Sequence, residues 1–258
     1  VKLTPNVTNI LPPAKAAQDG GADAVSLINT INSIMRVDYD SLTMYPTTDG
    51  MGTHGGYCGE AVKPIALNMV AEIARTKETR SIPISGIGGI TNWRDAVDFL
   101  ALGASNVQVC TAAMVYGFKI IDDLVDGLGD FLDDKQLTLD ELIGKAVPSV
   151  TDWQYLNLNY VEKAVIDQDL CIQCGRCHVV CEDTSHQAIT HTVNGERHFE
   201  VIDAECVGCN LCVSVCPVDG CISMQALTEG IDPRTGQAIS TVKADWTTHP
   251  NNPLRKAK

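Results

Sequence analysis

Residues 171–181 read CIQCGRCHVVC and residues 206–217 read CVGCNLCVSVCP, so one spacing of four cysteines occurs twice. In each run two residues separate the first three cysteines from one another, and three residues precede the fourth. Runs of this kind hold two four-iron clusters, and the fourth cysteine of each run binds the cluster of the other run. The spacing assigns to a first cluster Cys171, Cys174, Cys177 and Cys216. It assigns to a second cluster Cys206, Cys209, Cys212 and Cys181.

Zinc knuckles and disulfide frameworks also use clustered cysteines. Structural zinc usually takes two cysteine pairs that are a dozen or more residues apart, which is not the pattern here. Disulfide frameworks are typical of short secreted chains, whereas this chain has 258 residues and eight of its cysteines fall in one window. The spacing favours clusters over both alternatives.

The two cysteine runs belong to an internal repeat. Val165-Ile166-Asp167 precedes the first run and Val201-Ile202-Asp203 precedes the second, so strand, cluster loop and helix recur. The repeat predicts a ferredoxin-like α+β domain with two 4Fe-4S clusters over residues 165–230. A connector over 151–164 would precede it, and a tail over 231–258 would follow.

Composition and charge exclude several classes of protein. The content of 45% hydrophobic and 20% charged residues is that of an ordinary globular chain, and no apolar run reaches membrane-spanning length. A net charge of -13 argues against a nucleic-acid partner, because phosphate binding needs clustered Lys and Arg. We therefore expect a cytoplasmic protein with neither a membrane nor a nucleic acid as partner.

Short strands alternate with helical patterns from residue 1 to about 115, which indicates parallel βα units. The predicted strands are Val1 to Leu3, Ala24 to Asn29, Ile82 to Ser85 and Asn106 to Thr111. The predicted helices are Pro12 to Asp19, Pro64 to Lys77, Thr91 to Leu102 and Gly117 to Asp133, and a capping box at Thr138-Leu139-Asp140-Glu141 opens a short further helix. Four such units make half of a (β/α)8 TIM barrel of about 250 residues. We predict that residues 1–150 are the second half of a barrel and that four more units precede Val1; an open four-stranded sheet is the alternative.

In (β/α)8 barrels the active site lies at the carboxyl ends of the strands. The loops after the last two strands commonly bind phosphate there. The third predicted strand ends in Ser85-Gly86-Ile87-Gly88-Gly89 and the fourth in Val109-Cys110-Thr111. Glycines let backbone N–H groups approach an anion closely. These two strand ends predict a phosphate site, although a glycine-rich turn alone is often only a turn.

Polar side chains also lie on the first predicted strand and at the end of the second. The amide of Asn29 and the hydroxyl of Thr30 suit the edge of a pyrimidine, because an amide both donates and accepts hydrogen bonds; the alternative is that Asn29 only caps its loop. Lys2 would project inward, where a buried ammonium needs an anion such as a reduced flavin.

Three sequence features have no assigned role in the predicted barrel site or as cluster ligands. The stretch from Asn32 to Cys58 has little regular pattern and many glycines, as functional lids and disordered loops do. Cys58 itself has no general base beside it in sequence, so we do not assign it a catalytic role. Cys221 has no ligand position left to fill, and we place it in the core.

Taken together, these motifs resemble those of the dihydropyrimidine dehydrogenases, in particular the pyrimidine-reducing subunit of the bacterial NAD-dependent enzymes. The resemblance extends over essentially the whole chain. It is carried by both cysteine runs and by Lys2-Leu3-Thr4-Pro5-Asn6, Asn29-Thr30, Gly55-Gly56-Tyr57-Cys58-Gly59, Gly88-Gly89 and Gln108-Val109-Cys110-Thr111.

The resemblance implies an FMN-binding barrel that interconverts uracil or thymine with the 5,6-dihydro forms. The implied pyrimidine contacts are Asn29 and Thr30. The implied FMN contacts are Lys2, Gly59, Ile87, Gly88, Gly89, Cys110 and Thr111. No catalytic residue is expected in this chain, because the family's general acid is a cysteine on a loop that would precede Val1, and the chain alone is expected to be inactive.

The resemblance also implies a partner subunit that carries FAD and exchanges hydride with NAD(H), since this chain has no G-x-G-x-x-G dinucleotide fingerprint. The clusters would then carry electrons between the two flavins. Two other functions stay open: a non-catalytic two-cluster ferredoxin-type electron carrier, and a dihydroorotate dehydrogenase-like flavoenzyme.

Overall fold

The computed structural model describes residues 1–156, 161–227, 230–236 and 239. The chain divides into two compact units, Val1–Val150 and Thr151–Lys258. Of the predicted connector, residues 157–160 lie outside the described residues, as does the predicted tail except for 231–236 and 239. No helix among the described residues is long and apolar enough to cross a membrane.

The first unit is a mixed α/β structure. Its elements are, in chain order, α1 (Leu11–Asp19), β1 (Val25–Leu27), β2 (Ile31–Ser33), β3 (Arg36–Val37), β4 (Met44–Tyr45), β5 (Gly55–Tyr57), α2 (Lys63–Arg75), β6 (Ile84–Ile87), α3 (Trp93–Ala101), β7 (Asn106–Gln108), α4 (Thr111–Tyr116), α5 (Ile120–Lys135) and α6 (Leu139–Leu142). Short 3₁₀ turns lie at Glu60–Val62 and Val147–Ser149.

A parallel sheet with the order β1-β6-β7 forms the centre of this unit. The segment Val1–Leu3 joins its free edge, because Lys2 forms a parallel bridge with Ser26 and the Leu3 N–H donates to the Ser26 carbonyl at 2.8 Å. Successive extended segments therefore lie side by side in chain order. The predicted α/β class with a parallel sheet is confirmed.

Apolar side chains of the sheet and its helices form one core. Leu27 of β1, Ile73 of α2 and Phe99 of α3 are fully buried in it. The helix α3 begins where it does because the Asn92 side chain accepts hydrogen bonds from the backbone N–H groups of Arg94 and Asp95. The predicted capping box at Thr138 is confirmed at the start of α6.

Several predicted elements differ in detail from the structure. The strand expected to reach Thr111 ends at Gln108, because Thr111 begins the separate helix α4. The helix expected from Gly117 begins at Ile120. The stretch expected to lack regular pattern contains two small antiparallel pairs, β2 with β5 and β3 with β4.

The second unit is built around an antiparallel pair of strands. Its elements are, in chain order, a 3₁₀ turn (Trp153–Tyr155), β8 (Val161–Ile166), α7 (Arg176–Thr184), β9 (Thr192–Val193), β10 (Glu196–Arg197), α8 (Leu211–Val215) and β11 (Ile222–Leu227). β8 pairs with β11 over its whole length, from Val161 opposite Leu227 to Ile166 opposite Ile222. The cysteine loops and the helices α7 and α8 lie between these two strands in sequence, so the pairing brings both ends of the unit together.

Candidate functional site

A cavity of about 290 Å³ lies at the carboxyl ends of the parallel strands. All nine residues predicted from sequence to contact FMN or a pyrimidine line it: Lys2, Asn29, Thr30, Gly59, Ile87, Gly88, Gly89, Cys110 and Thr111. They come from loops that are far apart in sequence, and parallel strand pairing brings these loops to one edge of the sheet. The volume is close to the lower end of the range for ligand pockets, roughly 300–1,000 Å³.

The glycine turn after β6 passes very close to the turn before α2. Gly88 has φ +139° and Gly89 has φ +75°, a backbone region that residues with a side chain rarely adopt. A Cβ atom on Gly89 would lie 2.8 Å from the Gly59 carbonyl oxygen. Only glycine therefore fits at position 89 without displacing the backbone at Gly59.

A buried carboxylate, Asp95, holds the end of that turn. Asp95 accepts hydrogen bonds from the Thr91 backbone N–H at 2.8 Å and from the Lys63 ammonium at 2.6 Å. Burial alone would raise the pKa of Asp95, but the hydrogen bonds from Lys63 and Thr91 outweigh it and the pKa is lowered. The residue thus ties α3 and α2 to the loop that follows Gly89.

Replacing Asp95 with asparagine is expected to destabilise the protein by about 2 kcal/mol, since the change removes a buried ion pair and weakens a helix cap. Asp98→Asn is the matched control, because Asp98 bonds the same Lys63 at 3.1 Å but is 47% exposed. We expect its cost to stay below about 1 kcal/mol. Urea unfolding of the three proteins measures both values, and equal losses would contradict the central role of Asp95.

The contribution of the Asp95–Lys63 ion pair to stability depends on pH, and the direction of that dependence is defined. Because folding lowers the pKa of Asp95, its contribution to stability is present above the unfolded pKa of about 3.9 and disappears as the pH falls through the lower folded value. The stability difference between the wild type and Asp95→Asn should therefore shrink in that acidic range.

A row of polar side chains on the sheet was missed by sequence reasoning. The Gln108 side-chain amide donates to the Ser26 hydroxyl at 2.9 Å and to the Ser85 hydroxyl at 2.7 Å, and Ser85 bonds Asn106. Ser26 pairs in register with Ser85, so the residues face the same side of three neighbouring strands. The available signal was that Ser26 and Ser85 interrupt otherwise apolar strands and that Asn106 and Gln108 alternate with Val107 in β7.

Lys2 and Asn29 differ in how their polar groups are occupied. Among the described residues, the Lys2 ammonium has no hydrogen-bond or ion-pair partner, although the side chain lines the cavity. The Asn29 side-chain oxygen accepts from the Thr30 backbone N–H at 2.9 Å, which leaves its NH₂ group for other partners. The cavity thus presents a cation and an amide donor.

The predicted cluster ligands of the second unit line two separate cavities. One is lined by Cys171, Cys174, Cys177 and Cys216, together with Cys221. The other is lined by Cys181, Cys206, Cys209 and Cys212. These are the two groups that the crossed assignment predicts, and all eleven cysteines of the chain are free of disulfides.

Helix α7 supplies a cysteine to each cavity. Cys177 and Cys181 lie four residues apart on this helix and are both buried, yet they line different cavities. Burial raises the pKa of the Cys177 thiol, and burial raises that of Cys212 in the other cavity to about 11. Bare thiolates are therefore unfavourable here, and a positively charged iron core would be needed to hold them ionised.

Backbone N–H groups point at two of the sulfurs of the second cavity. The Ala188 N–H donates to the Cys181 sulfur at 3.2 Å, and the Ala164 N–H donates to the Cys206 sulfur at 3.5 Å. Hydrogen bonds of this kind stabilise thiolate ligands and help to set the reduction potential of a cluster.

Comparison with known proteins identifies both units. The model of the dihydroorotate dehydrogenase family matches residues 1–132, and that of the 4Fe-4S dicluster domain matches residues 164–224. Escherichia coli (strain K12) NAD-dependent dihydropyrimidine dehydrogenase subunit PreA is 41% identical over 224 residues, which cover 86% of this chain and 54% of that protein. The resemblance predicted from the motifs is thereby confirmed.

Two further relatives match a shorter part of the chain. Arabidopsis thaliana chloroplastic dihydropyrimidine dehydrogenase (NADP(+)) is 38% identical over 58% of this chain and 36% of its own length. The catalytic subunit of Pyrococcus horikoshii dihydroorotate dehydrogenase B (NAD(+)) is 40% identical over 57% of this chain and 46% of its own length. The chain spans about half the length of the curated relatives it matches, and it belongs to the dihydroorotate dehydrogenase family.

Proposed function

We propose that this chain is part of a dihydropyrimidine dehydrogenase subunit, which interconverts uracil or thymine and the 5,6-dihydro forms at FMN. Two 4Fe-4S clusters would relay electrons between the FMN and a partner subunit that carries FAD and binds NAD(H). The observation that carries the proposal is that nine predicted contacts, spread over more than 100 residues of sequence, line one cavity at the carboxyl ends of the strands. The name of the Escherichia coli relative supports the choice of substrate class.

The residues of the cavity suit FMN in charge and in hydrogen-bonding groups. The unpaired ammonium of Lys2 would neutralise the negative charge of a reduced flavin ring, and Asn29 and Thr30 would bind the pyrimidine. Gly88 and Gly89 let the backbone approach a phosphate closely, and Thr111 lines the same cavity. Bound FMN would supply hydride transfer, which no side chain can carry out.

We assign no general acid to the residues of this chain. Cys58 lines the cavity, but its sulfur accepts a hydrogen bond from the Thr111 hydroxyl at 3.3 Å, and among the described residues no hydrogen bond joins it to a base. We propose that the acid is a cysteine of a segment outside this chain, as the family resemblance implies. The chain by itself would then bind a pyrimidine poorly and would not turn it over.

We also propose the finer architecture that this function needs. Parallel segments that neighbour one another in chain order, with the cavity at their carboxyl ends, support the second half of a (β/α)8 barrel in residues 1–150. The separate cysteine cavities support two clusters in a ferredoxin-like domain.

The packing of the cysteines favours clusters over zinc. In a zinc site the sulfurs converge to roughly 3.8 Å from one another, given Zn–S bonds of about 2.3 Å. Among the described residues, no three His, Cys, Asp or Glu side chains converge closely enough to hold a single metal ion. A four-iron core spaces its ligands more widely, because each thiolate binds a different iron.

The test is a reoxidation assay with the whole protein, purified without oxygen. We expect bound FMN, about eight iron atoms per chain, and oxidation of the chemically reduced protein when uracil or thymine is added. A whole protein without flavin would refute the proposal. Flavin and clusters that are reoxidised by neither pyrimidine would also refute it.

A second candidate is dihydroorotate oxidation, which the family match over residues 1–132 and the Pyrococcus horikoshii relative favour. The same preparation distinguishes the two, because flavin reduction by dihydroorotate would support this candidate and flavin reduction by dihydrouracil would support the first. A non-catalytic electron carrier would respond to neither compound.

A further inference from the structure

Cys221 lies in the first cysteine cavity. It is only 2% exposed, and it lines this cavity together with Cys171, Cys174, Cys177 and Cys216. Its thiol lies against the thiols of Cys216 and Cys171. The cavity therefore offers five thiols to a cluster that needs four.

Backbone hydrogen bonds hold Cys221 in this place. Its carbonyl accepts a hydrogen bond from the Asp167 N–H at 2.8 Å, and its N–H donates to the Val218 carbonyl at 3.3 Å. The next residue, Ile222, begins β11 opposite Ile166 of β8. The position of the fifth thiol is thus set by strand pairing and a tight turn.

The other half of the unit has alanine at the corresponding place. Ala188 is also 2% exposed and lines the second cavity, and the buried Ile189 follows it as Ile222 follows Cys221. The Ala188 carbonyl accepts a hydrogen bond from the N–H of Ile202, just before the second cysteine run, at 2.7 Å. Among the described residues, four cysteines and no fifth line this second cavity.

We propose that Cys221 is a reserve ligand of the first cluster. In the intact protein Cys216 binds the iron and Cys221 stays unbound beside it. When the Cys216 sulfur is lost, the Cys221 thiol binds the same iron and releases its proton to solvent as the Fe–S bond forms. The inference rests on the proposed clusters, and it makes the two clusters unequal in their tolerance of ligand loss.

The test compares iron content and the electron paramagnetic resonance (EPR) signals of the reduced protein in three variants. Cys216→Ala is expected to keep both cluster signals and about eight iron atoms per chain. The double variant Cys216→Ala/Cys221→Ala and the single variant Cys181→Ala are each expected to lose one cluster, because each leaves only three cysteines lining the affected cavity. If the single variant Cys216→Ala lost as much iron as the double variant Cys216→Ala/Cys221→Ala, the proposal would be overturned.

Two further variants separate ligation from packing. Cys221→Ala alone is expected to keep both clusters, and loss of iron from it would show that Cys221 is a primary or structural residue. Adding Ala188→Cys to Cys181→Ala is expected to restore the second cluster, and no restoration in a folded protein would count against the proposal. A wild type that does not hold two clusters would refute the cluster assignment itself. Equal iron loss in the single and double Cys216 variants, with two clusters in the wild type, would refute only the role of Cys221.

Discussion

Replacing Cys181 with alanine is expected to abolish the cluster of the second cysteine run while the cluster of its own run remains. The reason is geometric, since Cys181 lines the cavity of Cys206, Cys209 and Cys212. Iron content should fall from about eight atoms per chain to about four, and one of two cluster signals should disappear from the EPR spectrum of the reduced protein. The expected loss is large because this cavity contains no replacement thiol among its described lining residues.

Cys177→Ala is the matched control for this variant. Cys177 lies on the same helix, four residues earlier, and it is buried to a similar extent, at 7% against 8% exposure. Because Cys177 lines the other cavity, the control should remove the other signal. Cys221 does not rescue this variant, since its thiol lies against those of Cys216 and Cys171 and not against that of Cys177. General damage to α7 would instead remove the same signal in both variants.

Double variants identify the shared cluster without any assignment of the spectra. Cys181→Ala combined with Cys209→Ala should lose no more iron than either change alone, because both residues line one cavity. Cys181→Ala combined with Cys174→Ala should lose both clusters. If the first pair lost both clusters and the second pair lost one, ligation would follow the sequence runs and the crossed assignment would be wrong.

The cysteine spacing was sufficient to predict this grouping because ligand runs encode the geometry of a cluster locally. The same holds for the parallel strands, where buried runs such as that around Val25 and Leu27 are continuous in sequence. Loops after such strands must meet at one edge of the sheet, so Asn29 and Gly89 could be placed in one site from sequence.

Features that depend on distant pairing were not predictable in this way. The strands β2 and β5 have three residues each and include Ser, Asn and Gly, so their sequence carries no strand signal, and only their mutual pairing defines them. The hydrogen bonds of Gln108 depend on the register between three strands. Cys221 could be recognised as buried, but its cavity follows from the pairing of β8 with β11.

The sequence also contains a hairpin signal between β9 and β10 that the prediction did not use. Asn194 and Gly195 both have positive φ, at 53° and 85°, and they join two short antiparallel strands. An Asn-Gly pair is the strongest short-range signal for a two-residue hairpin turn. The flanking strands have only two residues each, which is why the alternation that usually accompanies this turn is missing.

Gly89→Ala is expected to lower the affinity of the whole protein for FMN by about 10- to 100-fold. The added Cβ would lie 2.8 Å from the Gly59 carbonyl oxygen and 3.0 Å from that of Glu60, so the turn must move. Movement of a few tenths of an ångström would misdirect backbone N–H groups that face the proposed phosphate. Loss of one charge-assisted hydrogen bond costs about 1.5–3 kcal/mol, which corresponds to this change in affinity. Quenching of flavin fluorescence during titration measures it.

Gly21→Ala separates the crowding at Gly89 from backbone strain. Gly21 has φ +82°, close to the +75° of Gly89, but a Cβ there would have no neighbour within 4 Å. Both variants therefore carry a left-handed alanine, which costs about 1–2 kcal/mol of stability, whereas only Gly89→Ala strains the cavity. Gly21 precedes β1 and Gly89 follows β6, so the two glycines lie at opposite ends of the parallel strands. Equal loss of FMN affinity in both variants would mean that global stability controls binding. Loss confined to Gly89→Ala would place the anion at the carboxyl ends, where a parallel α/β sheet binds its ligands.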